Sequence, residues 1–195
     1  YIITKIYFGI KKQLGNKMQT DLLPENIESI KNNKVTFVKN FATIENTYDF
    51  NLLFSFLEKL DIPVNYKKNN FEPEKEKEFN FLEKVFQISN VSHFFPDFQF
   101  LKSFLEQVFK YPAHPRDGTD IFFSLKSIAG ISHEDIEDVF IIGLSGTVVY
   151  NVFQEETNHY EINKGDLIYI PKGIRHKVIG LSPRVTLSIG FYNEK

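Results

Sequence analysis

The sequence predicts a mainly β fold, either a sandwich or a small barrel, with helices before it. Two observations support this prediction. From Asp120 to Tyr192 the chain alternates short β-rich runs with turn residues, at a spacing typical of packed antiparallel strands. Before Tyr111, in contrast, apolar residues recur at helical spacing. We therefore expect a β domain with N-terminal helices packed on its outside.

Turn residues divide the C-terminal part into strands. Ser145-Gly146, residues 163–166 and residues 171–173 combine glycine with polar residues or proline, as tight turns do. The predicted strands cover residues 121–125, 138–144, 147–153, 159–162, 166–170, 176–179 and 185–191.

We expect the N-terminal part, residues 1–118, to be a mixed helical region that supports a barrel formed by residues 119–195. Together they would form one structural domain. The predictions for the first part are a helix at 22–30 with Pro24 in its first turn, a strand at 34–38, a helix capped by Asp49 and running to Leu60, an exposed charged loop at 66–78, and helices at 79–88 and 98–109.

Composition narrows the classes of function. A formal charge of -2 and a pI near 6.2 provide no basic field that would attract nucleic acid or acidic lipid. The absence of cysteine excludes disulfides, thiolate zinc sites and cysteine nucleophiles. No apolar run approaches the ~20 residues of a membrane span, and Lys5 interrupts the apolar start. We expect a cytoplasmic protein without a membrane segment.

Three residues have the chemistry of a metal site. Side chains two residues apart on a strand share a face, so His133 and Asp135 can reach one ion while Glu134 points away. With His176 they form a set of two imidazoles and one carboxylate, the facial triad of non-haem iron(II), which leaves coordination positions open. We predict these three as metal ligands and catalytic centre. The alternatives are an exposed acidic loop for the first pair and a packed histidine for the third residue.

The surroundings of these residues resemble a known superfamily. Gly165, Pro171, Gly173 and His176 resemble the second conserved motif of the cupins, and residues 130–146 resemble the Jumonji-C-like branch of that superfamily. That branch consists of iron(II)- and 2-oxoglutarate-dependent oxygenases, which include ribosomal-protein and asparaginyl hydroxylases. The resemblance covers about residues 120–192. It implies a double-stranded β-helix (jelly roll), bound iron(II), 2-oxoglutarate and dioxygen as cosubstrates, and hydroxylation of a C–H bond.

The resemblance is incomplete at the cosubstrate site. Many family members carry lysine or arginine fifteen residues after the first histidine, where this chain has Val148, and a glutamine where it has Gly143. Cupins also often have asparagine four residues after the second histidine, where Gly180 stands. The usual anchor for the distal carboxylate of 2-oxoglutarate is therefore missing.

A replacement anchor is available near the last predicted strand. Arg184 and Thr186 resemble an Arg-x-Ser/Thr element of other 2-oxoglutarate oxygenases, and the planar guanidinium can bind a carboxylate bidentately. A surface arginine at a strand start is the alternative. Lys126, on the first predicted barrel strand, and Tyr150 are further candidates for binding the cosubstrate.

The remaining chemistry-bearing residues are predicted to be structural. His93, His114 and His159 have no partner at ligand spacing, and Arg175 is expected to be solvated. Two other functions stay open: a metal-dependent cupin enzyme that does not use 2-oxoglutarate, and a non-catalytic cupin-fold binding module. The substrate is expected to be a protein, a peptide or a small molecule rather than nucleic acid. The resemblance also implies a homodimer.

Overall fold

The computed structural model describes residues 18–44, 48, 50–53, 65–67, 85–127 and 129–192, without the side chains of residues 18, 19 and 65–67. The N-terminal elements are β1 (Met18–Thr20), α1 (Pro24–Lys31), β2 (Thr36–Val38), β3 (Ala42–Ile44), β4 (Asn65–Lys67), β5 (Val85–Ser89) and α2 (Pro96–Phe109), with a 3-10 turn at Val91–His93. The C-terminal strands are β6 (Thr119–Ser124), β7 (Asp138–Ser145), β8 (Val148–Phe153), β9 (Thr157–Ile162), β10 (Leu167–Ile170), β11 (His176–Gly180) and β12 (Arg184–Phe191).

The strands form one large and one small antiparallel sheet. The large sheet has the order β2-β10-β7-β12-β6-β5-β4, the small one the order β11-β8-β9, and β1 pairs separately with β3. All seven C-terminal strands lie where the sequence predicted them, because turn residues separate them. The mainly β fold with preceding helices is therefore confirmed.

Two apolar cores explain why the central strand β7 is buried on both sides. Val139 and Ile141 point into a core that also contains Val152 of β8 and Ile168 of β10. Phe140 lies in the other core, which is lined by α1 and α2. Because successive side chains of a strand face opposite ways, β7 contributes to both cores. The helices thus cover one face of the large sheet, and the small sheet covers the other.

Both helices have the residues expected at their ends. Pro24 and Pro96 stand in the first turns of α1 and α2, where the missing N–H costs nothing. Lys110 ends α2 in the left-handed conformation, with φ of 58°. The face of α2 predicted to be buried is buried, through Phe98 and Leu101 among others. None of the described helices is long and apolar enough to span a membrane.

Two predictions for the N-terminal part are wrong. Residues 85–88, predicted as the end of a helix, belong to β5, and their burial alternates with period two because β5 pairs with β6. Residues 66 and 67, predicted as loop, belong to β4, which pairs with β5. The rest of that loop, Asp49 and residues 54–60 lie outside the described residues, while residues 50–53 are helical as predicted.

Candidate metal centre

The structure brings His133, Asp135 and His176 together. Each offers a ligand atom, and these atoms lie within 4.8 Å of one another. The Asp135 carboxylate lies between the imidazoles, with Oδ2 3.5 Å from His176 Nε2 and Oδ1 3.8 Å from His133 Nε2. Adjacent ligands of an octahedral ion stand about 3 Å apart at metal–ligand bonds of about 2.1 Å. A small inward shift would therefore allow all three donors to bind one ion.

Backbone pairing fixes the two imidazoles side by side. His133 and His176 exchange both backbone hydrogen bonds at 2.9 Å, and their rings lie 4.4 Å apart. The sequence predicted His133 on a strand. Instead, His133 lies in a loop and makes an isolated backbone bridge to β11. Asp135 follows in the same loop, because backbone pairing there is limited to a few positions. Glu134 is exposed, in keeping with its predicted orientation away from the ion.

The tautomer of both histidines suits metal binding. His133 Nδ1 lies 2.9 Å from the carbonyl oxygen of Ile131, and His176 Nδ1 lies 3.0 Å from that of Ile174. A carbonyl only accepts hydrogen bonds, so each Nδ1 carries the proton. Each Nε2 therefore keeps a free lone pair, which points toward the other two candidate metal ligands. Such hydrogen bonds orient metal-binding histidines in proteins. The residues present therefore fit a divalent cation.

The two histidines differ in exposure. The His176 side chain is 3% exposed and the His133 side chain 46%. Burial lowers the pKa of His176, and His133 lowers it further, although the Ile174 carbonyl and Asp135 act in the opposite direction. His176 therefore favours the neutral form that a metal requires. On the His133 side the centre is open to solvent.

The glycines and the aspartate of the second motif build two turns that precede His176 in the chain. The buried Asp166 accepts hydrogen bonds from the backbone N–H of Asn40 and of Asn163, which closes the turn at Gly165. Gly165 has φ of 87° and Gly173 has φ of 77°, a region that favours glycine. The N–H of Gly173 then donates to the Asp135 carbonyl, which ties the turn before His176 to the loop of the other two candidate ligands.

A cavity of about 910 Å³ contains the three side chains. Arg184 and Tyr150 also line it. Arg184 is 3% exposed, and its Nε has no hydrogen-bond partner among the described residues. Burial lowers the pKa of Arg184, which the neighbouring Tyr150 partly offsets. Burial likewise raises the pKa of Tyr150 to about 12, so its phenol stays neutral beside the guanidinium. A buried guanidinium beside a neutral phenol has the chemistry to bind an anion.

The other predicted cosubstrate residues lie differently. Thr186 is buried but lies outside the cavity lining, and its hydroxyl contacts the carbonyl of Phe122 at 3.4 Å. Lys126 was predicted on the first barrel strand, but β6 ends at Ser124 and Lys126 is exposed outside the cavity lining.

Structural reasons explain the departures from the family pattern. Val148 is buried in the core between the sheets, and Gly180 is its register partner. A Cβ on Gly143 would lie 2.1 Å from the backbone oxygen of Asn163, so no side chain fits there.

One residue of the cavity was missed. His114 was predicted to be structural, without a partner at ligand spacing. Its Nε2 lies 3.1 Å from Glu137 Oε1, and both residues line the cavity. No spacing motif connects two residues 23 positions apart. His159 is exposed as predicted, and Arg175 is exposed with its Nε donating to Ser132 Oγ.

Comparisons with known proteins agree with this geometry. Residues 116–195 match the family model of the JmjC domain. This segment is similar to a JmjC domain. The resemblance predicted from the sequence is thereby confirmed, and the JmjC segment includes all three converging side chains. No curated protein sequence matches the chain.

The fold of the JmjC segment and of the part before it recurs in solved structures. Structures of YcfD, described as a ribosomal oxygenase from Escherichia coli, are 18% identical to this chain, and the alignments cover 92% of it. Their TM-scores are 0.71 for the protein described without ligands, 0.70 for the complex with cobalt and succinic acid, and 0.68 for that with cobalt and 2-oxoglutarate. The chain spans about half of their length, 54%. This likeness confirms the cupin-type jelly-roll fold.

Proposed function

We propose that this protein is an iron(II)- and 2-oxoglutarate-dependent oxygenase. The observation that carries the proposal is the convergence of His133, Asp135 and His176 in one cavity with the buried Arg184. The three donors would hold iron(II), and the guanidinium would bind the distal carboxylate of 2-oxoglutarate. Iron(II) at such a site supplies the dioxygen chemistry that couples decarboxylation of 2-oxoglutarate to hydroxylation of a C–H bond.

The side chains of the chain have separate tasks in this proposal. His176, held by the Ile174 carbonyl, is a fixed donor on the buried side. Arg184 takes over the role of the basic residue that many family members have at the position of Val148. Its guanidinium binds the carboxylate through two charge-assisted hydrogen bonds. The neutral phenol of Tyr150 is available to donate a further hydrogen bond to that carboxylate. Thr186 and Lys126 have weaker support, because neither lines the cavity.

The substrate that fits best is a side chain of another protein. Its site would lie on the His133 side, because the Asp135 side chain is 34% exposed and the His133 side chain 46%. Ile131 and Ile136 line the cavity and are more than half exposed, which provides apolar surface for a docked chain. The description of YcfD as a ribosomal oxygenase agrees with a protein substrate. A small molecule is the alternative.

An anaerobic titration tests the proposed function. Addition of iron(II) and then 2-oxoglutarate should produce a weak charge-transfer band in the visible spectrum, which His176→Ala should abolish. Metal binding without any band would favour a cupin enzyme that does not use 2-oxoglutarate. The lack of a basic residue at the position of Val148 also favours this alternative. Failure to bind metal would favour a non-catalytic binding module.

A further inference from the structure

The loop that carries two of the proposed ligands is held unevenly. Its first half is fixed to β11 by the N–H of Gly130, which donates to the Val178 carbonyl, and by the bridge between His133 and His176. In its second half the Asp135 carbonyl accepts a hydrogen bond from the N–H of Gly173, but Glu134 and Ile136 are exposed, Ile136 by 72%, and provide little packing around the Asp135 side chain.

A histidine with a buried side chain, from another part of the fold, contacts this second half of the loop. His114 comes from the connection between α2 and β6, and its side chain is only 3% exposed. Its ring stacks on Tyr192 at 4.8 Å and 17°. Its Nδ1 contacts both the N–H of Arg116, at 3.0 Å, and the carbonyl oxygen of Arg116. Its Nε2 lies 3.1 Å from Glu137 Oε1, and because a carboxylate only accepts hydrogen bonds, Nε2 is the donor of this pair.

Two glycines make room for this pair. A Cβ on Gly118 would lie 2.8 Å from His114 Cγ, and Gly118 has φ of 73°. A Cβ on Gly190 would lie 2.0 Å from Glu137 Oε2. The two glycines are joined by a backbone hydrogen bond of 2.8 Å. The pair therefore lies in a cradle that larger residues would fill.

We propose that the His114–Glu137 pair is a latch that holds the loop of residues 130–137 in the arrangement that metal binding requires. His114 is then a positioning residue, which acts on the metal centre through Glu137 and the backbone of the loop. This inference rests on the proposed function for its consequence, but the order of the loop is a property of the metal-free protein. Residues that orient metal ligands typically contribute about 10- to 100-fold in affinity.

The test compares three variants with the wild type. His114→Phe keeps the stack on Tyr192 but removes the hydrogen bond, whereas the amide of His114→Gln can still donate to Glu137. Gly190→Ala pushes the Glu137 carboxylate away from its place. His159→Phe is the matched control, because His159 is exposed and its Nδ1 contacts Asn151 rather than the cavity.

Three readouts are needed: cobalt(II) affinity, amide hydrogen exchange of residues 131–137 in the metal-free protein, and the melting temperature. His114→Phe and Gly190→Ala should weaken cobalt binding by about tenfold or more and accelerate exchange in this loop. The melting temperature should change little. His114→Gln should recover most of both losses, and His159→Phe should behave as wild type.

Several results would overturn the latch. One is wild-type cobalt affinity and loop exchange in His114→Phe. Another is a His114→Gln variant as impaired as His114→Phe. A third is faster exchange throughout the protein with a lowered melting temperature, which would mean a general structural role. If the wild type binds no cobalt, the proposed function fails, and loop exchange alone decides the latch.

Discussion

Arg184 is a buried cation that β12 presents to the cavity, with an Nε that lacks a partner among the described residues. We predict that Arg184→Met weakens 2-oxoglutarate binding roughly 10- to 100-fold, because hydrogen bonds to charged groups contribute about 1.5–3 kcal/mol. The melting temperature should stay the same or rise, because Arg184 has no carboxylate partner among the residues that the structure describes, and a buried unpaired charge destabilises the fold. Calorimetric titration of the metal-loaded protein measures the affinity.

Lys126→Met is the matched control for this substitution. Lys126 is exposed and lies outside the cavity lining, so its loss should leave 2-oxoglutarate affinity unchanged. Equal affinities in Arg184→Met and wild type would remove Arg184 from the cosubstrate site.

Because the phenol of Tyr150 is buried, we predict that the stability of the protein depends on pH above pH 10. Its pKa is raised from 10.0 to about 12 by burial, so above pH 10 the unfolded chain loses this proton before the folded protein does. The unfolded state then binds fewer protons, and stability falls as pH rises from 10 to 12. At pH 11 the loss amounts to about 1 kcal/mol. Urea unfolding at pH 8 and pH 11 should show a smaller decrease for Tyr150→Phe than for wild type; equal decreases would contradict the buried phenol.

The residues of the centre were predictable to different degrees. The spacing of His133 and Asp135, with the turn motif before His176, was sufficient to select the three side chains that meet. The pairing of His114 with Glu137 was not predictable, because it depends on two loops that only the folded sheet brings together. The glycines at 118 and 190 are a signal of close packing, but only after their neighbours are known.

Gly143 of β7 lies where this strand packs closely against the turn at residues 163–165. Its φ is not positive, but an added Cβ would lie 2.1 Å from a backbone oxygen that cannot move freely. We predict that Gly143→Ala lowers the free energy of unfolding by about 2–3 kcal/mol. Gly130→Ala is the control, because its Cβ would meet its nearest neighbour at 3.5 Å. Urea unfolding compares them, and equal stability of the two variants would contradict this explanation.

At the scale of elements, turn chemistry was a better guide than apolar periodicity. Gly146, Gly165 and Gly173 all have positive φ, and each ends a run that the sequence marks as a strand. The prediction failed at β5, where a short aromatic and aliphatic run fits a helix as well as a strand. Pairing with β6 decides for the strand, and this contact lies 33 residues away, between Gln87 and Asp120.

At the scale of the whole molecule, the N-terminal part contributes strands to the large sheet and helices to its core. Strands β2, β4 and β5 extend the large sheet on both sides, and α1 and α2 complete one of its cores. We therefore propose that residues 1–118 and 119–195 form one structural domain. Strand partners far apart in sequence could not be assigned before the fold was known. Homodimer formation and a cytoplasmic location remain predictions.

The proposed activity is tested most directly by following 2-oxoglutarate itself. Iron-loaded protein in aerated buffer should convert carbon-13-labelled 2-oxoglutarate to succinate, detected by NMR, slowly alone and faster with an added protein substrate. His176→Ala should show no conversion above the iron-free control. Wild-type protein that binds iron(II) yet forms no succinate, with or without added protein, would contradict the assignment as a 2-oxoglutarate-dependent oxygenase.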